Sequence, residues 1–133
     1  MNLFYQSIAS VLEVAEVNFE TKFREVEGWC SLQAFGLLVT MENDWHTPLT
    51  IERLQQMNTV GDLFAEAFLE FASKLLKVPR STLSLDTAYG SISEWDSVNH
   101  LRLAMEAEQK FGVYYPIETI PALKKLKDFL QYS

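Results

Sequence analysis

Asp96 and Ser97 stand side by side in "SEWDSVNHLRLAMEAEQKFG", residues 93–112, where a turn-rich stretch runs into a helical pattern. Such a pair can simply cap a helix, since Asp and Ser oxygens accept the unpaired amide hydrogens of the first turn, worth about 1 kcal/mol. It can also present a hydroxyl to another enzyme. A helix start after a loop leaves the serine exposed, and the helix dipole and free amides stabilise a phosphate placed there. A third use, Ser97 as the nucleophile of a small helical hydrolase, needs a base, and no His-Asp arrangement is evident to deprotonate it. Other reactive side chains are few. Cys30 is the only cysteine, which excludes an internal disulfide and fits a reducing compartment. His46 and His100 are far apart and lack a cysteine cluster, so no zinc site is expected.

The elements that must position these residues come in two copies. "GWCSLQAF" at 28–35 and "EWDSVNHL" at 94–101 align at an offset of 66. The same offset pairs Phe23 with Tyr89, Trp45 with Phe111, Ile51 with Ile117 and Met57 with Leu123, and it ends by matching "TVGDLF" at 59–64 to "KLKDFL" at 125–130. From residue 20 onward no gap is needed; earlier, "LEV" at 12–14 matches "LKV" at 76–78 after a two-residue indel. Each copy reads as helix, long loop, helix, short helix, helix. In the second copy Phe68, Phe71, Ala72 and Leu75 recur at the spacing of an amphipathic helix. Pro79 ends that helix, because proline disfavours helix in the residue before it. In the loop that follows, Leu83, Leu85 and Tyr89 are expected core anchors. The next helix opens at Asp96 or Ser97, buries Leu101, Ala104 and Phe111, and stops at Gly112 in the left-handed conformation. A turn around Pro116–Ile120 leads to a last helix carrying Leu123, Leu126, Phe129 and Leu130.

No linker separates the copies. The stretch 59–76 has no breaker after Gly61 and is expected to serve as the last helix of one copy and the first of the next, about 27 Å long. Shared in that way, it would fix the two bundles relative to each other, as a Gly/Ser linker would not. The expected fold class is therefore all-α: two tandem four-helix bundles, 1–66 and 67–133, sharing a central helix.

Charge narrows the partners. The net charge of −7 argues against nucleic acid and anionic membranes. Residues 1–70 carry 3 basic and 11 acidic side chains, net −8, whereas residues 71–133 carry 8 and 7, net +1. No apolar run approaches the roughly 20 residues of a membrane span. The N-terminus lacks a basic region ahead of an apolar stretch, so no signal peptide is expected, and a cytoplasmic location follows.

The long loop, the acid-serine pair opening the second helix, the length near 65 residues per copy and the closing "TVGDL"-like helix together resemble the acyl carrier proteins. The resemblance covers nearly the whole chain, once per copy, and is stronger in the second, where "WDSVNHLRLAMEAEQKFGVYYP" looks like the family's attachment motif. It implies a protein that is not itself a catalyst. A 4′-phosphopantetheine arm from coenzyme A would be attached to Ser97 by a phosphopantetheinyl transferase, and acyl groups held as thioesters would be presented to loading and processing enzymes. It also implies recognition through the second helix, where Asp96, Val98, Arg102 and Met105 are the candidates; Met105 serves equally well as core filler. The family's second helix is usually strongly acidic, and Arg102 and Lys110 depart from that, which points to a dedicated partner. At the matching place in the first copy Ser31 is kept, but Cys30 replaces the acid and Gly36 interrupts the helix, at around 1 kcal/mol relative to alanine. Ser31 is thus a weaker second attachment candidate. The rival reading is a pair of unmodified bundles acting as a scaffold through apolar second-helix faces.

Overall fold

In the computed structural model of the chain, residues 2–132 are described. Six α-helices follow in order: α1 (Leu3–Leu12), α2 (Ser31–Asn43), α3 (Ile51–Gln55), α4 (Val60–Leu76), α5 (Ser97–Phe111) and α6 (Leu126–Phe129). Short 3-10 turns occupy Phe23–Glu25, Arg80–Thr82, Ile117–Ala122 and Leu130–Tyr132. The fold is all-α. Among the described residues the only β-type pairings are two isolated bridges, Lys22 with Thr59 and Ala88 with Lys125. Among the described residues no helix is long and apolar enough to cross a membrane. Contacts divide the chain into two compact units, Phe4–Ala67 and Phe68–Ser133, the second also taking in Met1–Leu3. The division falls inside α4, which begins at Val60, one residue later than expected, and runs unbroken through Glu66–Phe68.

The offset of 66 reappears bond by bond inside each unit. Phe23 N–H donates to Asn58 O at 3.3 Å, and Tyr89 N–H donates to Lys124 O at 2.7 Å. Val60 to Thr21 (2.8 Å) is matched by Leu126 to Thr87 (3.1 Å), and Gly61 to Phe19 (2.8 Å) by Lys127 to Leu85 (3.0 Å). The two bridges are themselves 66 residues apart. Earlier in each unit the spacing is 64, as the indel requires: Val14 N–H to Ala9 O and Val78 N–H to Ser73 O are both 3.1 Å. There the helices end in left-handed residues, Glu13 at φ 58° and Lys77 at φ 59°. The same long loop is therefore pinned in both units by the same main-chain bonds, which hold it against the start of the last helix.

Each unit closes over an aromatic core. In the first, Phe4 lies 5.0 Å from Trp45 and 5.3 Å from Phe64. In the second, Phe68 lies 5.5 Å from Phe129 and 6.1 Å from Phe111. Gly112 ends α5 in the left-handed region at φ 68°, and its counterpart His46, two residues past the Asp44 C-cap of α2, is also left-handed at φ 53°. Several expectations for the second unit need correcting. Leu101 is 46% exposed rather than buried, because α5 turns Leu103, Ala104, Ala107 and Phe111 to the core instead. Leu85 is only half-buried, and Tyr89 is exposed although its ring meets Trp95 edge-on at 5.7 Å. Leu123 is buried but precedes α6, which has a single turn before a 3-10 turn takes over.

Tyr115 is the most strongly shifted ionisable group in the second core. Its hydroxyl donates to Phe129 O at 3.0 Å, and burial, with the Glu108 carboxylate nearby, pushes the phenol far above its ordinary value of 10.0. The sign follows from linkage. The contribution is complete below pH 10 and is lost as pH climbs, because the unfolded phenol ionises while the buried one resists. Ultraviolet titration of the folded chain is expected to leave the Tyr115 phenol un-ionised until the second unit unfolds. Tyr115→Phe should remove that silent phenol and flatten the alkaline loss of stability.

Candidate functional site

The start of α5 separates the roles that the sequence left joined. Asp96 has extended backbone, and its carboxylate accepts the Asn99 N–H at 2.9 Å, so the acid is the N-cap. Its carbonyl accepts the His100 N–H at 2.8 Å, and Asn99 Nδ2 ties the preceding loop down through Glu94 O at 2.8 Å. Ser97 is the first helical residue. It is exposed, and its hydroxyl makes no hydrogen bond among the described residues. A reactive hydroxyl is thus left free at the positive end of a 15-residue helix.

Ser97 opens onto a groove of about 730 Å³ between α5 and the Ile117–Ala122 turn. Tyr89, Leu101, Ile120 and Leu123 make its walls largely apolar, and Lys124 and Lys125 stand on its rim. His100 lies along one wall without offering a base. Its Nδ1 accepts from Trp95 Nε1–H at 3.0 Å, and indole nitrogen can only donate. The proton must then sit on Nε2, which donates to Ile120 O at 2.8 Å. Both ring nitrogens are occupied in linking α5 to the opposite wall. The imidazole is also stacked on Trp95 at 5.8 Å and meets Tyr89 at 5.0 Å and Phe129 at 5.7 Å. In this arrangement neither nitrogen of His100 is free to take a proton from Ser97.

Along the outer face of α5, Val98, Leu101 and Met105 are 66%, 46% and 53% exposed, a continuous apolar stripe beside Ser97. Met105 is accordingly not core filler. Arg102 pairs with Glu106 at 3.1 Å and with Asn99 Oδ1 at 3.2 Å, so its charge is partly balanced within its own helix. Lys110, farther along α5, has its pKa lowered by burial and by Lys74. The structure therefore gathers Asp96, Ser97, Val98, Arg102 and Met105 on the first turns of one helix.

The first unit holds the same arrangement with different residues. Ser31 opens α2 and is exposed, and Leu32, Phe35 and Val39 repeat the apolar stripe at the same offset. Ser31 also lines a groove, of about 340 Å³, with Ala34, Phe35, Leu38, Ile51 and Leu54. Cys30 is a free, exposed thiol at the position of Asp96. The main-chain bond there is reversed in origin: Gln33 Oε1 accepts the Cys30 N–H at 3.1 Å, so no carboxylate stands at this helix start. Gly36, which the sequence marked as a weakness, sits where an added Cβ would lie 3.0 Å from Val11 Cγ1. It lets α1 and α2 approach closely.

The paired grooves were not anticipated from the sequence, although the signal was there: the offset that equates Ser31 with Ser97 also equates Phe35 with Leu101 and Leu54 with Ile120. No protein-family model, no curated protein and no solved structure matches this chain.

Proposed function

We propose that the second unit is an acyl-carrier-like bundle in which Ser97 bears a 4′-phosphopantetheine arm. The observation that carries this reading is the division of labour at α5: Asp96 takes the capping role, and Ser97 is left exposed and unbonded at the mouth of an apolar groove. The residues present fit such a group. The Ser97 hydroxyl is accessible, the first-turn amides and the helix dipole favour a phosphodiester, and the groove has room for a chain. The arm would supply the thiol on which acyl groups are held as thioesters. In the modification, Ser97 Oγ would bond to the pantetheine-side phosphorus as the P–O–P bond of coenzyme A breaks, with adenosine 3′,5′-bisphosphate as the leaving group. The hydroxyl proton must leave to a base on the transferase, because both nitrogens of His100 are engaged.

On this reading the exposed stripe of Val98, Leu101 and Met105, with Arg102 and Asp96 beside it, meets the transferase and the acyl-loading and processing enzymes. The chain presents cargo and performs no chemistry of its own, and a cytoplasmic setting suits its exposed free thiol. Ser31 is the weaker attachment candidate, since Cys30 offers no carboxylate to a transferase. A scaffold reading, with neither serine modified, is favoured by one specific observation, the exposed apolar stripe retained in both units.

Intact mass before and after incubation with coenzyme A and a broad-specificity phosphopantetheinyl transferase decides between them. One increment is expected, present in Ser31→Ala and absent in Ser97→Ala. Two increments would make both units carriers. No increment on a folded chain would overturn the carrier reading and leave the scaffold in its place.

A further inference from the structure

We infer that the groove beside Ser97 is a binding site for an apolar chain ending in a carboxylate, with Lys124 and Lys125 as the partners of the anion. This goes beyond the carrier reading, because it requires no modification of Ser97. The walls supplied by Tyr89, Leu101, Ile120 and Leu123 suit a hydrocarbon chain. The rim does not suit a neutral one. Lys124 and Lys125 both line the groove, and neither ammonium has a hydrogen-bond or ion-pair partner among the described residues. Two neighbouring cations of the unit are paired by contrast: Lys127 Nζ lies 3.2 Å from Asp86, and Arg102 pairs with Glu106. The Asp128 carboxylate accepts the backbone N–H groups of both lysines, each at 2.9 Å, rather than pairing with their ammonium groups. Those bonds, with Tyr89 N–H to Lys124 O at 2.7 Å, hold the backbone of the pair against the groove.

The first unit provides an internal control. In its groove no lysine is among the lining residues, and Asn58 and Thr59, which match Lys124 and Lys125 in sequence, lie outside that lining. Its one lining cation, Arg24, is engaged with Leu54 O at 3.2 Å, with Asn58 Oδ1 at 2.9 Å and with Met57 O, and it lies over the Phe23 ring. Two grooves of common architecture thus differ in free positive charge. Where Ser97 carries a cargo, the same lysines would favour an acyl group with a carboxylate at its far end over one with a methyl end.

The test uses the unmodified chain, labelled with ¹⁵N and titrated with octanoate, 1-octanol and octylammonium, three ligands with the same hydrocarbon chain and different head charge. Octanoate is expected to bind about fivefold tighter than octanol, an exposed charge pair's worth, with octylammonium weakest. The amide shifts should centre on Tyr89, Leu101, Leu123 and Lys124, and the octanoate advantage should shrink as salt is raised. Lys124→Gln with Lys125→Gln should bring octanoate down to octanol, whereas Lys127→Gln should leave the preference intact. Octanoate binding no tighter than octanol, or shifts centred on the first unit's groove, would overturn the proposal. Because Ser97 is unmodified throughout, that failure is separate from an absent mass increment. A last comparison, octanoyl against octanedioyl on a chain whose loading has been confirmed by mass, separates a cargo's carboxylate from a free one. A larger Lys124 shift with octanedioyl supports the cargo form, and equal shifts restrict the site to free carboxylates.

Discussion

Trp95→Ala is expected to destabilise the second unit by about 3–5 kcal/mol, the range for removing a fully buried large aromatic. Trp95 is completely buried and lies among Tyr89 at 5.7 Å, His100 at 5.8 Å and Phe129 at 6.4 Å. Its loss does more than open a cavity. The indole N–H satisfies His100 Nδ1, and His100 Nε2 in turn holds Ile120 O, so the groove wall facing Ser97 depends on this ring. Trp95→Phe separates the two contributions. It keeps most of the apolar body and leaves the imidazole nitrogen without its donor, for a loss of about 1–3 kcal/mol. The counterpart Trp29 is only half-buried and packs on Phe23 at 5.6 Å, and Ala34 stands at the position matching His100, so Trp29→Ala should be milder. Urea denaturation followed by amide signals from residues 68–132 measures the effect in the unit concerned. Equal losses at Trp95 and Trp29 would remove the special role assigned to the Trp95–His100 pair.

Gly61→Ala is expected to destabilise the first unit by about 2 kcal/mol, although alanine is the better helix former. A Cβ at Gly61 would lie 2.5 Å from Phe19 O and 2.6 Å from Phe19 Cδ1. The carbonyl cannot rotate away as a side chain would, because it accepts the Gly61 N–H at 2.8 Å in one of the bonds that pin the long loop. The second unit tolerates Lys127 at this position, with Leu85 in place of Phe19, so the requirement for glycine comes from the close approach of Phe19, whose ring packs in beside its carbonyl. Gly36→Ala supplies the contrast. There the added methyl meets only the tip of Val11 at 3.0 Å, a side chain that can shift, and the gain of about 1 kcal/mol in helix propensity offsets most of the crowding. Thermal denaturation of the two variants side by side checks the argument. A drop for Gly36→Ala as large as that for Gly61→Ala would show that helix packing, rather than the close approach of Phe19, sets the cost.

The sequence by itself determined the helical class, the duplication and the place of each long helix, because those depend on local pattern. Apolar spacing marks an amphipathic helix wherever it occurs, Pro79 and Gly112 stop helices through their own backbone limits, and a repeat at 66 residues is visible without coordinates. It also brought Ser97 and Asp96 forward together. The tertiary structure decided which of the two caps α5, since that depends on which oxygen meets the Asn99 N–H and not on the preference of either residue type. It decided that Leu101 faces solvent beside Ser97 while Leu103 faces the core, a difference of rotation about the helix axis that the spacing of apolar residues leaves open. His100 gave no sign in the sequence of being engaged at both nitrogens, because Trp95 and Ile120 reach it only when loop and turn fold over α5. The groove with its two free lysines is likewise a product of assembly: its walls come from residues 88–125, and only packing brings a serine, an apolar lining and unpaired charge to one surface.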